Sequence, residues 1–246
     1  MRLQGKTFII TGAAGGMGSV TVKRFLEEGA NVVGSDLHVS SLQEQLENFL
    51  PVQGDLTKEA DVAFLVKKTY ETFGKIDGLV NIAGVAQKLT PIEELTLSDW
   101  DRMMSINATT LFLTNQAVVP YLKKQQGVIV NVASISAVRP RPGLSAYIAS
   151  KGAAVSFSQA LAIELADDQV RVNVIHPGPS DTKMLGQFVG DSTEHEKVKD
   201  DVFKNSVPLG ELIQPIDIAN AAVYLCSEEA RMVTGAVLHV DGGRGL

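Results

Sequence analysis

Thr7–Phe8–Ile9–Ile10–Thr11–Gly12–Ala13–Ala14–Gly15–Gly16–Met17–Gly18 is the stretch on which the fold turns. Its first five residues are a short apolar run closed by a glycine, the pattern of a buried parallel strand. Val20, Phe25 and Leu26 then fall at helical spacing between Met17 and Glu28, and Gly29 stops the helix. Asn31–Ser35 is a second apolar run, ending at Asp36. Strand, glycine-rich turn, helix and strand in that order open a parallel β-α-β unit.

The alternation continues along the chain. Ser40–Ser41 opens a helix through Leu46 and Phe49, and Val52–Gln53–Gly54–Asp55 reads as a third, short strand. Lys58 to Phe73 is helical, with Val62, Leu65, Val66 and Thr69 on one face and Gly74 at its end. Asp77–Ile82 is strand four, the loop Val85–Leu97 follows, and Ser98 to Lys124 reads as one long helix. Val128–Val132 is strand five, and Ala133 to Gly143 is a loop rich in Ser, Pro and Arg. The next helix runs to about Ala166, strand six is Arg171–Ile175, Ile216–Cys226 is a helix and Ala236–Val240 the last strand. Pro177 to Val207 has no clean period, and so long a stretch inside a compact domain suits a lid. The pattern predicts one α/β domain over residues 1–246, a doubly wound Rossmann fold with a seven-stranded parallel sheet and a mobile substrate lid at about 177–207.

Composition narrows the function. The 246 residues are 45% apolar and carry a net charge of −6 with no Lys/Arg run, which argues against nucleic acid or an anionic membrane as partner. The polar start, Met1 to Lys6, does not read as a signal peptide, and no apolar run reaches about 18 residues, so a cytoplasmic protein without a signal peptide or membrane span is expected. Cys226, the one cysteine, sits in an apolar helical run as a core thiol. His38, His176, His195 and His239 lack ligand spacing, so no metal site is expected.

In doubly wound sheets the ligand lies beyond the carboxyl ends of the strands, and polar groups gather at those ends here. The turn residues Gly12, Gly16, Met17 and Gly18 let backbone approach a pyrophosphate at a helix N-terminus. No Gly-Lys-Ser/Thr follows, which argues against a P-loop. Asp36, about 18 residues past the last glycine, stands where a carboxylate accepts from an adenosine ribose and repels a 2′-phosphate. Asp55 and Leu56 would reach the adenine, and Asn81, Ala83 and Gly84 end strand four. Tyr147 and Lys151 lie one helical turn apart on one face, where an ammonium lowers a phenol's pKa and suits it to exchange protons with an alcohol.

These residues together resemble the short-chain dehydrogenase/reductase family over essentially the whole chain. The matching motifs are Thr11–Gly12-x-x-x-Gly16-x-Gly18, Asp55, Asn81-x-Ala83–Gly84, Asn107, Ser134, Tyr147-x-x-x-Lys151 and Pro177–Gly178-x-x-x-Thr182. The resemblance implies Tyr147 as acid/base, Lys151 lowering its pKa and holding the nicotinamide ribose, Ser134 bonding the substrate oxygen and Asn107 supporting a water that leads to Lys151. Two positions depart from the pattern. Ile82 replaces a frequent asparagine, and Pro179, lacking an N–H, leaves the nicotinamide amide to Ser180, Thr182 or carbonyls. A homotetramer paired through the 98–124 and 151–166 helices is likewise implied.

The expected activity is hydride transfer between NAD(H) and a secondary alcohol or ketone. An NADPH-linked reductase of 3-oxoacyl thioesters would want a basic residue at Ala14 or Leu37. A nucleotide-binding sensor has no need of Ser134, Tyr147 and Lys151 together. Val85, Gln87, Ala137, Val138, Leu144, Met184, Leu185 and Phe188 are candidates for the substrate pocket. Arg139 and Arg141 are assigned to a solvated rim in preference to a substrate anion.

Overall fold

A computed structural model describes residues 1–42, 47–188 and 203–246. Seven strands form one parallel sheet: β1 (Thr7–Thr11), β2 (Asn31–Asp36), β3 (Phe49–Gln53), β4 (Gly78–Asn81), β5 (Val128–Val132), β6 (Arg171–Pro177) and β7 (Val237–Val240). Their order is β3-β2-β1-β4-β5-β6-β7, so the winding reverses between β1 and β4. Among the described residues the helices are α1 (Gly16–Glu27), α2 (Glu59–Phe73), α3 (Leu97–Met104), α4 (Thr110–Gln125), α5 (Ser145–Glu164), α6 (Lys183–Gln187) and α7 (Pro215–Cys226).

Successive side chains of a strand point to opposite faces, and the sheet therefore feeds two cores. Phe8, Ile10, Val128 and Val130 pack with Val22 and Phe25 of α1 and Ile218, Ala222 and Cys226 of α7. Phe8 and Phe25 meet edge to face, with ring centroids 5.1 Å apart. Ile9, Leu79, Ile129 and Val172 face the other way, onto Leu65 of α2, Leu122 of α4 and Leu161 of α5. Helices on both faces are why the strands read as continuous apolar runs.

Three expectations of secondary structure need correction. Of the helix expected from Ser40 to Phe49, the described residues show a 3₁₀ turn at Ser40–Leu42 and no helix at 47–49; 43–46 lie outside the described residues. Phe49 already belongs to β3, which runs three residues ahead of the expected start and contains Pro51. A proline inside an apolar run reads as a break, but β3 is an edge strand, where proline is tolerated. The single helix expected at 98–124 is α3 and α4 joined by a π-helical turn, Ser105–Thr109, of the kind common at functional sites. Of the proposed lid, α6 and a 3₁₀ turn at Lys204–Ser206 are described, and 189–202 lie outside the described residues. Among the described residues no helix is long and apolar enough to cross a membrane.

Candidate active site

A cavity of about 850 Å³ runs along the carboxyl ends of the strands, across the β1/β4 reversal. All the predicted catalytic and cofactor residues wall it except Asn81 and Asn107.

The glycine turn forms its floor beside β1. Gly12 has φ +66°, and a Cβ on Gly18 would stand 2.0 Å from the Gly12 carbonyl oxygen. The turn thus packs backbone on backbone and brings the first turn of α1 to the cavity, with no side chain between it and a bound group. At the end of β2, the Ser35 hydroxyl lines the cavity, is fully buried and has no hydrogen-bond partner among the described residues. Asp36 beside it accepts from the Ala14 N–H at 3.0 Å and from the His38 N–H at 3.4 Å. Asp55 turns its carboxylate to Thr57, whose hydroxyl donates at 2.6 Å. That bond leads in holding Asp55 below the usual carboxylate range, with Lys58 at 3.3 Å assisting. An orphaned hydroxyl, an acidic strand end and a glycine cradle fit a dinucleotide with its adenosine at β2 and its pyrophosphate at α1.

Asn81 and Asn107 stand behind this wall. Asn81 donates to Asn131 Oδ1 at 2.9 Å and accepts from Thr114 at 2.9 Å and Thr11 at 3.3 Å, tying β4 to β5, α4 and β1. The Thr11 hydroxyl in turn accepts from the N–H groups of Ile82 and Ala83, fixing the chain as it leaves β4. Asn107, in the π turn, accepts from the Val85 N–H at 2.8 Å and donates to the Val85 carbonyl at 3.1 Å and to Ser150 Oγ at 3.1 Å. Asn81, expected at the cofactor, does not line the cavity. Its buried amide is consumed in joining strands, and the backbone of Ala83 and Gly84 reaches the cavity in its place.

Ser134, Tyr147 and Lys151 come together at the ends of β5 and α5. Lys151 is buried, and its Nζ donates to the Val132 carbonyl at 3.1 Å and lies 6.0 Å from the Tyr147 ring centroid. A Cβ on Gly84 would approach this Nζ to 3.3 Å, so glycine keeps the passage beside the ammonium clear. Burial pulls the Lys151 pKa down to about 8. Burial also raises Tyr147, while its hydrogen bond with Ser134 and then the Arg141 charge pull it back. The Lys151 ammonium, expected beside the phenol, is turned to the Val132 carbonyl. Of the two groups that pull the phenol down, Ser134 leads and Arg141, from the loop before α5, adds less.

The wider pocket differs from expectation. Val85, Met184, Leu185 and Phe188 line it, and the Phe188 ring stands 5.1 Å from that of Tyr147. Ala137, Val138, Leu144 and Gln87 do not line it. Gln87 instead accepts the Tyr147 N–H at 2.8 Å, capping the first turn of α5, where Leu144 offers no side-chain cap. Arg141 is half-buried at the cavity wall and not on a solvated rim, and Arg244, Phe203 and Lys183 join it there. No spacing signal marks Arg244 or Phe203, because segments distant in sequence bring them to the site. Among the described residues no cluster of His, Cys, Asp or Glu could hold a metal ion.

A family model described as enoyl-(acyl carrier protein) reductase matches residues 12–244. The 2,5-dichloro-2,5-cyclohexadiene-1,4-diol dehydrogenase of Sphingobium indicum is 36% identical over 250 residues, 98% of this chain and 97% of that protein. The 4-formylbenzenesulfonate dehydrogenase of Comamonas testosteroni is 33% identical over 254 residues, the full length of both. The crystal structure of a 3-ketoacyl-(acyl-carrier-protein) reductase from Brucella melitensis, complexed with NADH, superposes with a TM-score of 0.90 at 38% identity, covering 99% of this chain and 100% of that one.

Proposed function

This chain belongs to the short-chain dehydrogenase/reductase family of oxidoreductases, and from that premise we propose that it transfers hydride between NAD(H) and a secondary alcohol or ketone. The observation that carries the reading is one cavity walled by Ser134, Tyr147 and Lys151 at one end and by the glycine turn and Asp36 at the other. The nicotinamide supplies the hydride chemistry when bound. Ser134 holds the substrate oxygen against the Tyr147 hydroxyl. Tyr147 takes the alcohol proton in oxidation and returns it in reduction. Lys151 would hold the nicotinamide ribose, its ammonium standing at the cavity wall beside Tyr147. Asp36 meets the adenosine ribose and disfavours a 2′-phosphate. The NADH-bound relative supports this choice of cofactor.

Two of the relatives are dehydrogenases of cyclic or aromatic compounds, which supports an alcohol or carbonyl held against the Phe188 side of the pocket. The test is Tyr147→Phe, which keeps the ring and removes the transferable proton. Turnover is expected to fall at least ~100-fold in both directions while NADH still binds. Near-normal turnover would assign the proton to another group and end this reading.

A further inference from the structure

Arg141 and Arg244 reach the same cavity from segments more than a hundred residues apart. Arg141 leaves the loop before α5 with its guanidinium carbon 5.0 Å from the Phe203 ring centroid. Arg244 follows β7 and donates to the Ser206 carbonyl at 3.1 Å. Arg139 stands outside the wall and braces the arrangement, donating to the main-chain carbonyls of Arg244 and Leu246. Among the described residues no carboxylate forms an ion pair with Arg141 or Arg244. Asp241, the acid that bears on Arg244, spends its oxygens on the N–H groups of Gly243 and Gly245, at 2.9 Å and 2.7 Å.

Two half-buried cations on one cavity wall, without an ion pair among the described residues, are costly, because each is desolvated and like charges repel. The pKa of each is lowered, first by burial; Arg244 is lowered further by the charges of Arg141 and Arg139. The cost is recovered when an anion sits between them, since guanidinium and carboxylate pair through two parallel hydrogen bonds. Arg141, Arg244 and Tyr147 line one cavity, so such an anion would be part of the molecule that Tyr147 acts on.

Resting on the reaction proposed above, we propose that the substrate carries a carboxylate or similar anionic group, which Arg141 and Arg244 bind while its carbonyl or alcohol faces Ser134 and Tyr147. Arg141 and Arg244 are then specificity-determining residues, and the Phe203 ring supports the Arg141 guanidinium.

The experiment compares acetoacetate, 4-oxopentanoate, 5-oxohexanoate and 4-acetylbenzoate with their methyl esters as substrates for the NADH-loaded full-length enzyme. Each compound is also titrated onto the enzyme–NADH complex by NADH fluorescence. At least one acid is expected to exceed its ester in kcat/KM by about 10- to 100-fold, the worth of a charge-assisted hydrogen-bonded pair. That ratio should collapse towards one in Arg141→Gln, fall in Arg244→Gln, survive in part in Arg141→Lys and shrink with added salt. Circular dichroism checks that the variants fold; Arg141→Lys carries the test should Arg141→Gln fail. Esters turned over as well as or better than the acids throughout would overturn the anion site and leave the reaction standing. If no compound is turned over, the reaction loses its support and binding decides the site. Acids that bind wild type at least tenfold tighter than Arg141→Gln sustain it, and acids that bind both alike or not at all overturn it.

Discussion

Asp36 accepts from two backbone N–H groups and still lines the cavity, so its charge is fixed in place without being neutralised. Preference for NADH over NADPH by about 100-fold, or about 2.7 kcal/mol, is expected. Asp36→Asn keeps an oxygen for the Ala14 N–H but removes the charge, and parallel titrations with both cofactors should show the gap narrow. Lys151 behaves differently, because burial has brought its pKa to about 8. Its ammonium is present below that pH and lost above it. NADH affinity should be level up to about pH 8 and weaken beyond, and this step should be missing in Lys151→Met; fluorescence titration from pH 6 to 10 checks both. Asp36 and the Tyr147/Lys151 pair were legible because each lies at a fixed offset from a strand end or on one helical face. Arg244 was not, since only the closure of the chain brings it beside Arg141.

Helix α5 owes the placement of Tyr147 to a residue outside itself. Its first turn has no side-chain cap of its own, and Gln87, 60 residues upstream, accepts the Tyr147 N–H. Gln87→Ala leaves that buried N–H without a partner, at a cost of about 1–3 kcal/mol, which urea unfolding should show as a lower midpoint at unchanged slope. A conservative change at exposed Val138 should leave the midpoint where it is. The π turn at 105–109 has a related purpose: it sets Asn107 between Val85 and Ser150, joining the loop after β4 to α5. Period-reading finds a helix across 98–124 but cannot find one widened turn within it, because a single added residue barely disturbs the apolar spacing. Strand β3 was misplaced for the opposite reason. Pro51 is a strong local signal, and only the position of β3 at the sheet edge makes it harmless.

For the molecule as a whole, the parallel sheet and the line of functional residues along its carboxyl edge were readable, since alternation of strand and helix leaves few topologies. The pairing of β6 with β7 was not readable, and it sets His176 against His239, with rings stacked 5.1 Å apart. His176 is fully buried, and neither ring nitrogen has a partner among the described residues. Burial, then the neighbouring His239 and, less, Lys151 bring its pKa down to about 4, against the pull of Asp241. The unfolded chain therefore binds a proton that the folded chain refuses between about pH 6.5 and 4. The stability contributed is complete above pH 6.5 and is lost as pH falls towards 4, by up to about 3 kcal/mol. Urea midpoints taken across that range should fall less steeply in His176→Asn than in wild type. Helices α4 and α5, the pair expected to join chains, leave Phe112 and Ile163 exposed. Light scattering at micromolar concentration is expected to give the mass of four chains.

Cys226, the chain's one thiol, lies in the core between α1 and α7, and burial pushes its pKa up to about 12. Only a thiolate reacts readily with an alkylating dye, so the native protein should be inert to one and each unfolded molecule should react once. The rate of dye uptake in excess reagent would then read the opening of that core directly, giving the enzyme a built-in clock for its kinetic stability, with and without NADH, and no engineered label.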